Sequence, residues 1–148
     1  MEILNRKARH DYFIEETYEA GIELTGTEIK SIRDGSANIK DSYGIVKNDE
    51  VFLLNMFINQ YKEGNIFNHN ETRTRKLLLH KKEIKKISEK LELQGLTLIP
   101  LRIYFKKNIA KVELGVCRGK KNYDKRETIK ERDIKRNVEK TLKQRYSG

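Results

Sequence analysis

Aromatic and branched side chains alternate with polar ones from Tyr12 to Leu24, with an interruption at Ala20-Gly21. A period of two with a glycine inside it predicts a strand carrying a bulge or bend at that point. The next stretch, Thr25 to Arg33, spaces Ile29 and Ile32 three apart, which predicts a short helix ended by Asp34-Gly35. Ser42–Lys47 and Val51–Ile58 read as two strands of a hairpin around Asn48-Asp49-Glu50. The polar run Glu63–Arg73 reads as an exposed loop.

A second helix is predicted from about His80 to Leu93, with Ile84, Ile87 and Leu91 on one face and Gly95 closing it. Two further strands follow, Leu96–Phe105 and Ala110–Cys117, joined by Lys106-Lys107-Asn108. Pro100 lies inside the first of them, so that strand is either at an edge or bulged there. Asp124-x-x-Glu127 then has the form of a helix N-cap pair. A helix from Glu127 to Arg145 would reach about 28 Å, with a thin apolar stripe of Ile129, Ile134, Val138 and Leu142. Short strands with two inserted helices predict a mainly β fold, an OB-fold-like closed antiparallel barrel.

Charge sharpens the division of the chain. Of its 148 residues, 36% are charged, above the roughly 25% of an ordinary soluble protein, and the net charge is +10. The segment 118–148 holds 12 Lys+Arg against 5 Asp+Glu, and the first 117 residues hold 20 against 17. We therefore expect a barrel at 1–117 and a basic C-terminal tail at 118–148, disordered alone and helical on a polyanionic partner. No apolar run approaches the ~18 residues of a membrane span, and the N-terminus lacks a secretory h-region, so a cytoplasmic protein without a membrane partner is expected.

Catalytic chemistry finds little to stand on. His10, His69 and His80 show no metal-ligand spacing, and the single Cys117 excludes an internal disulfide and a Cys-based zinc site. Asp34, Asp41 and Glu113 are scattered among lysines, unlike the clustered carboxylates of a metal-dependent nuclease. Nucleophile elbows, P-loops and dinucleotide fingerprints are missing. We expect neither an enzyme nor a cofactor. Nucleic-acid binding has more support. Arg6-Lys7-Ala8-Arg9-His10 leads into Tyr12-Phe13, Arg73-Thr74-Arg75-Lys76 into three leucines, and Arg118-Gly119-Lys120-Lys121 into Tyr123. Each pairs cations for phosphates with a group that can pack on a base, although any one of them alone also fits a solvated charged face.

Longer runs carry a resemblance. Asn5–Glu16 (NRKARHDYFIEE), Leu24–Arg33 (LTGTEIKSIR), Asp41-Ser42-Tyr43, Thr72–Leu79 (TRTRKLLL) and Gly119–Arg132 (GKKNYDKRETIKER) resemble the bacterial small protein B family, the SsrA-RNA (tmRNA) binding proteins. The likeness spans roughly Asn5 to Asp133 in order. It implies an OB-type barrel and a role in trans-translation, the rescue of stalled ribosomes. The family binds the tRNA-like domain of tmRNA, meets alanyl-tRNA synthetase and elongation factor Tu through that RNA, and places its tail in the empty mRNA channel. The alternative is a general tRNA- or rRNA-binding module with no tmRNA preference.

Carried over by position, the resemblance implies tmRNA contacts at His10, Tyr12, Glu19, Leu78, Lys111 and Lys120, and decoding-centre contacts at Tyr123, Asp124, Lys125 and Arg126. The neighbouring cations Arg9, Lys76, Arg118 and Lys121 join the RNA-binding set, and Lys130 and Arg132 the ribosome-facing set. Glu19 is the odd member. A carboxylate repels phosphate, so it must accept a hydrogen bond from a base or orient a nearby cation. At position 123 many family members have histidine; tyrosine keeps the stacking face and loses the cationic form.

Overall fold

Two hairpins with two-residue turns set the frame. In the first, β4 (Tyr43–Lys47) returns as β5 (Glu50–Leu54) through Asn48 and Asp49, both at positive φ. In the second, β8 (Thr97–Lys106) returns as β9 (Ile109–Gly119) through Lys107 and Asn108, again both at positive φ. Paired positive φ values give the turn a twist that matches the flanking strands, and Asn and Asp tolerate that region best among non-glycine residues. The computed structural model describes residues 2–62 and 68–120, and contacts divide the chain into units Met1–Arg118 and Gly119–Gly148.

The remaining elements of the first unit are β1 (Glu2–Leu4), α1 (Arg6–Asp11), β2 (Tyr12–Ile22), α2 (Gly26–Arg33), β3 (Ala37–Asn38), β6 (Phe57–Ile58), β7 (Arg75–Leu78) and α3 (Lys81–Gln94). The strands run β8-β4-β5-β7-β2-β9, and β9 pairs with β8 again, so six strands close into a ring with β1 added beside β8. The mainly β barrel expected from the sequence is present. β8 has neighbours on both sides, so Pro100 is not at an edge; the register shifts between Pro100 and Arg102, which is the bulged alternative.

Leu53, Leu77, Leu98, Ile103, Val112 and Leu114 fill the barrel with almost no exposure. Ile87 of α3 is buried against that core, with Ile84 and Leu91 beside it, and Gly95 closes the helix at a φ of 64°. These are the positions and the stop that the helical spacing predicts. Ala8 of α1 joins a smaller cluster with Ile99, Leu101 and Cys117.

Several short elements differ from the sequence expectation. The predicted strand Val51–Ile58 is broken at Asn55, whose φ is 58°, into β5 and the two-residue β6. The run Arg6–His10 forms most of α1, capped by Asn5. Arg73-Thr74-Arg75-Lys76 is not a free cationic tract: Arg75 is fully buried in β7 and Arg73 is one-third exposed. Both hold Glu28, with Arg75 Nε donating at 2.6 Å and Arg73 Nη2 at 2.6 Å. Burial alone would raise the Glu28 pKa, but hydrogen bonds from Arg73, the Thr25 amide and Arg75 outweigh it and hold the carboxylate below its ordinary range. Glu28 also completes the capping box of α2 with Thr25. One carboxylate therefore fixes both a helix start and the strand that crosses it.

Candidate nucleic-acid interface

The antiparallel pairing of β2 with β7 sets Gly21 opposite Leu78. A Cβ at Gly21 would lie 3.3 Å from the Leu78 Cβ, so the glycine makes room for leucine on the outer face. Leu78 is 48% exposed, and Ile109 at the start of β9 is 57% exposed. Together with Glu19 and Lys111 they line one open groove, bordered by His80 and Glu83 at the start of α3. Glu19, Leu78 and Lys111 come from β2, β7 and β9, which lie side by side in the sheet order β7-β2-β9.

The groove has a polar anchor that sequence reasoning missed. Tyr104 Oη donates to Glu19 Oε1 at 2.5 Å, and Lys106 Nζ lies 3.5 Å from Glu19 Oε2. Tyr104 faces Lys111 across the β8–β9 ladder, and the Arg102 guanidinium lies 4.1 Å from the Tyr104 ring centre. The Tyr104 hydrogen bond, with the Lys106 and Lys111 charges, keeps Glu19 below the ordinary carboxylate range against a smaller opposing effect of desolvation. Burial, and then the Glu19 hydrogen bond, push the Tyr104 phenol up to about 12, so it remains a donor at neutral pH. Glu19 is thus oriented by a phenol and offset by lysines. Arg102, Tyr104 and Lys106 alternate along β8, a period-two signal of one shared outer face that could have marked them in the sequence.

The other proposed residues lie elsewhere. Tyr12 and Glu19 stand toward opposite ends of β2, about 23 Å apart along an extended strand. His10 Nδ1 lies 3.0 Å from Asp11 Oδ1, and Arg9 Nη2 lies 3.9 Å from Glu113 Oε1. Arg118 Nε donates to Glu15 Oε2 at 2.8 Å, and Lys76 pairs with Glu50. Solvent-exposed ion pairs of this kind contribute little to stability. Lys120 follows β9 in the second unit. Lys121, Tyr123, Asp124, Lys125, Arg126, Lys130 and Arg132, with the expected helix 127–145, lie outside the described residues.

Two candidate reactive groups have structural surroundings. Cys117 is fully buried, and burial first, then the Glu15 charge, push its thiol up to about 11. His69 is buried between the Ile58 carbonyl, 2.9 Å from Nε2, and the Thr27 hydroxyl, 2.9 Å from Nδ1. Among the described residues no group of three or more His, Cys, Asp or Glu is placed to hold a metal ion, and no helix is long and apolar enough to cross a membrane.

A closed antiparallel barrel with helices packed on it places the fold in the OB-fold-like class of small barrels. The family model described as SmpB protein matches residues 2–144, and the chain belongs to that family. It is 56% identical over 144 residues to an SsrA-binding protein of Shouchella clausii, covering 97% of this chain and 92% of the relative. An SsrA-binding protein of Ligilactobacillus salivarius is 60% identical over 139 residues, covering 94% of this chain and 90% of the relative. A chain in a solved structure of tmRNA–SmpB at the center of the bacterial ribosome superposes with a TM-score of 0.69 at 49% identity, covering 80% of this chain and 84% of that one.

Proposed function

We propose that this protein binds tmRNA through its barrel and accompanies it to stalled ribosomes in trans-translation. The observation that carries the reading is similarity to SsrA-binding proteins along nearly the whole chain. The groove of Glu19, Leu78 and Lys111 supplies the chemistry for the barrel contact. Leu78 and Ile109 offer apolar contact to a sugar or base, Lys111 and Lys106 attract phosphate, and Glu19 accepts from a base N–H. His10, Tyr12, Lys76, Arg9, Arg118, Lys120 and Lys121 are the further residues of this reading that would contact the RNA.

The basic segment 118–148 is the part proposed to enter the vacant mRNA channel. Its excess of cations suits walls made of phosphate, and Tyr123 to Arg126, Lys130 and Arg132 are its decoding-centre contacts. Elongation factor Tu and alanyl-tRNA synthetase are met through the bound RNA. The role is binding and delivery in the cytoplasm without catalysis by this chain, which the protonated, buried Cys117 thiol suits.

The test is titration of the full chain with the tRNA-like domain of tmRNA and with bulk elongator tRNA. Leu78→Ala and Lys111→Ala should each weaken tmRNA binding by about tenfold, the loss of one stacking-scale contact. Equal affinity for both RNAs would instead indicate a general tRNA- or rRNA-binding module.

A further inference from the structure

The outer side of α3 carries cations that the groove leaves unused. Lys81, Lys82, Lys85 and Lys86 fill its first two turns and are all exposed, while Ile84 and Ile87 pack against the barrel. Lys82, Lys86 and Lys90 recur every four residues, so they follow one another along one side of the helix over about 12 Å. The arrangement costs the helix some stability. Like charges four residues apart repel, and a cation in the first turn opposes the helix dipole. Elsewhere on the barrel Lys76, Arg102 and Arg118 each lie against a carboxylate. Among the described residues, neither Lys82 nor Lys86 is ion-paired.

The two sides of the helix differ in their surroundings. At its start, His80 and Glu83 border the groove beside Gly21 and Ile22 of β2, and further on Lys90 pairs with Glu16 of the same strand. The helix therefore runs back along β2, and the stripe begins one residue from the groove. The carboxylates on this side are already engaged. Glu83 accepts from the His80 amide at 3.1 Å. Glu16 accepts from Tyr18 Oη at 2.6 Å, and hydrogen bonds from Lys90 and then Tyr18, with a smaller contribution from the Lys86 charge, hold it below the ordinary carboxylate range. On the opposite side Lys81 and Lys85 share a recess with Asp49 of the β4–β5 turn and with Glu89. A phosphate there would meet two carboxylates.

We propose that Lys82 and Lys86 form a phosphate-binding track for the RNA strand that leaves the Glu19–Leu78 groove, extending the tmRNA site along the β2 side of α3. The ligand rests on the RNA-binding reading above. Lysines act here as point charges, so the track adds affinity and orientation and reads no sequence. Groove and track divide the work: the groove contacts a base or sugar, and the helix holds the backbone beside it.

The experiment measures the affinity of the full chain for the tRNA-like domain of tmRNA, and for elongator tRNA, across a salt series. Each phosphate contact contributes roughly 0.7–0.9 to the slope of log affinity against log salt. The double variant Lys82→Gln/Lys86→Gln should therefore lower that slope by about 1.5, so its affinity deficit narrows about tenfold between roughly 50 and 200 mM salt. Lys81→Gln/Lys85→Gln removes the same net charge from the same helix and should lower the slope by less than half as much. All four positions are exposed, so both variants should keep the wild-type thermal transition. An unchanged slope in Lys82→Gln/Lys86→Gln, or equal changes in the two double variants, would overturn the proposal. A wild-type chain that binds elongator tRNA as tightly as tmRNA, with the difference between the double variants intact, would overturn the tmRNA reading alone. Absence of binding to either RNA would overturn both.

Discussion

Tyr104 holds Glu19 across the closing strands of the barrel, with its phenol 2.5 Å from the carboxylate and 85 residues away in the chain. That bond turns an acid that would repel RNA into a fixed acceptor beside Lys106 and Lys111. Tyr104→Phe keeps the ring under Arg102 and removes only the hydroxyl. The Glu19 pKa should rise toward its ordinary value of about 4.3, as read by carboxyl-carbon NMR across a pH titration. Binding of tmRNA should weaken several-fold, while thermal unfolding changes little. An unmoved Glu19 titration would show that the phenol does not orient it.

Glu28 predicts acid sensitivity. Its folded pKa lies below the unfolded value of about 4.3, so its contribution to stability is fully present above that pH and is lost as pH falls through the folded value. Glu28→Gln leaves Arg75 buried and uncompensated, which should cost about 3–5 kcal/mol in urea unfolding at neutral pH. The variant should also lose part of the wild type's loss of stability as the pH falls below about 5.

These two carboxylates show where sequence reading succeeds and where it stops. The α3 helix announces itself through Ile84, Ile87, Leu91 and Gly95, because local spacing sets both its face and its end. The hairpins at Asn48-Asp49 and Lys107-Asn108 are equally local. Glu28 and Arg75 look like surface charge until β7 and α2 are packed together, and their burial comes from a partner 47 positions away. The same holds for Tyr104. The six-residue α1 and the two-residue β3 and β6 are too short to express a period. Among the proposed contacts, the resemblance supplied Glu19, Leu78 and Lys111, and only the strand order β7-β2-β9 shows that they share a groove.

Cys117 should be inert in the folded protein. With a thiol pKa near 11 and no exposed surface, it is protonated at pH 8 and shielded from reagents. A thiol-specific disulfide reagent should modify it only after denaturant is added. Rapid labelling in native buffer would show that the end of β9 opens readily.

The C-terminal segment should separate from the barrel in function. Tyr123→Ala should lower peptidyl transfer to tmRNA on stalled ribosomes while leaving tmRNA binding intact, since stacking rather than charge is the role proposed there. A chain ending at Arg118 retains every buried apolar residue found among the described ones, so it should keep a cooperative thermal transition. Equal loss of binding and transfer in Tyr123→Ala would remove the division of labour.

The most direct test of the central claim is to purify the tagged full-length protein from its own bacterium at moderate salt and sequence the RNA that accompanies it. The account predicts strong enrichment of a single tmRNA over bulk tRNA, reduced by Leu78→Ala. A broad profile of tRNA and rRNA with no tmRNA enrichment would contradict it.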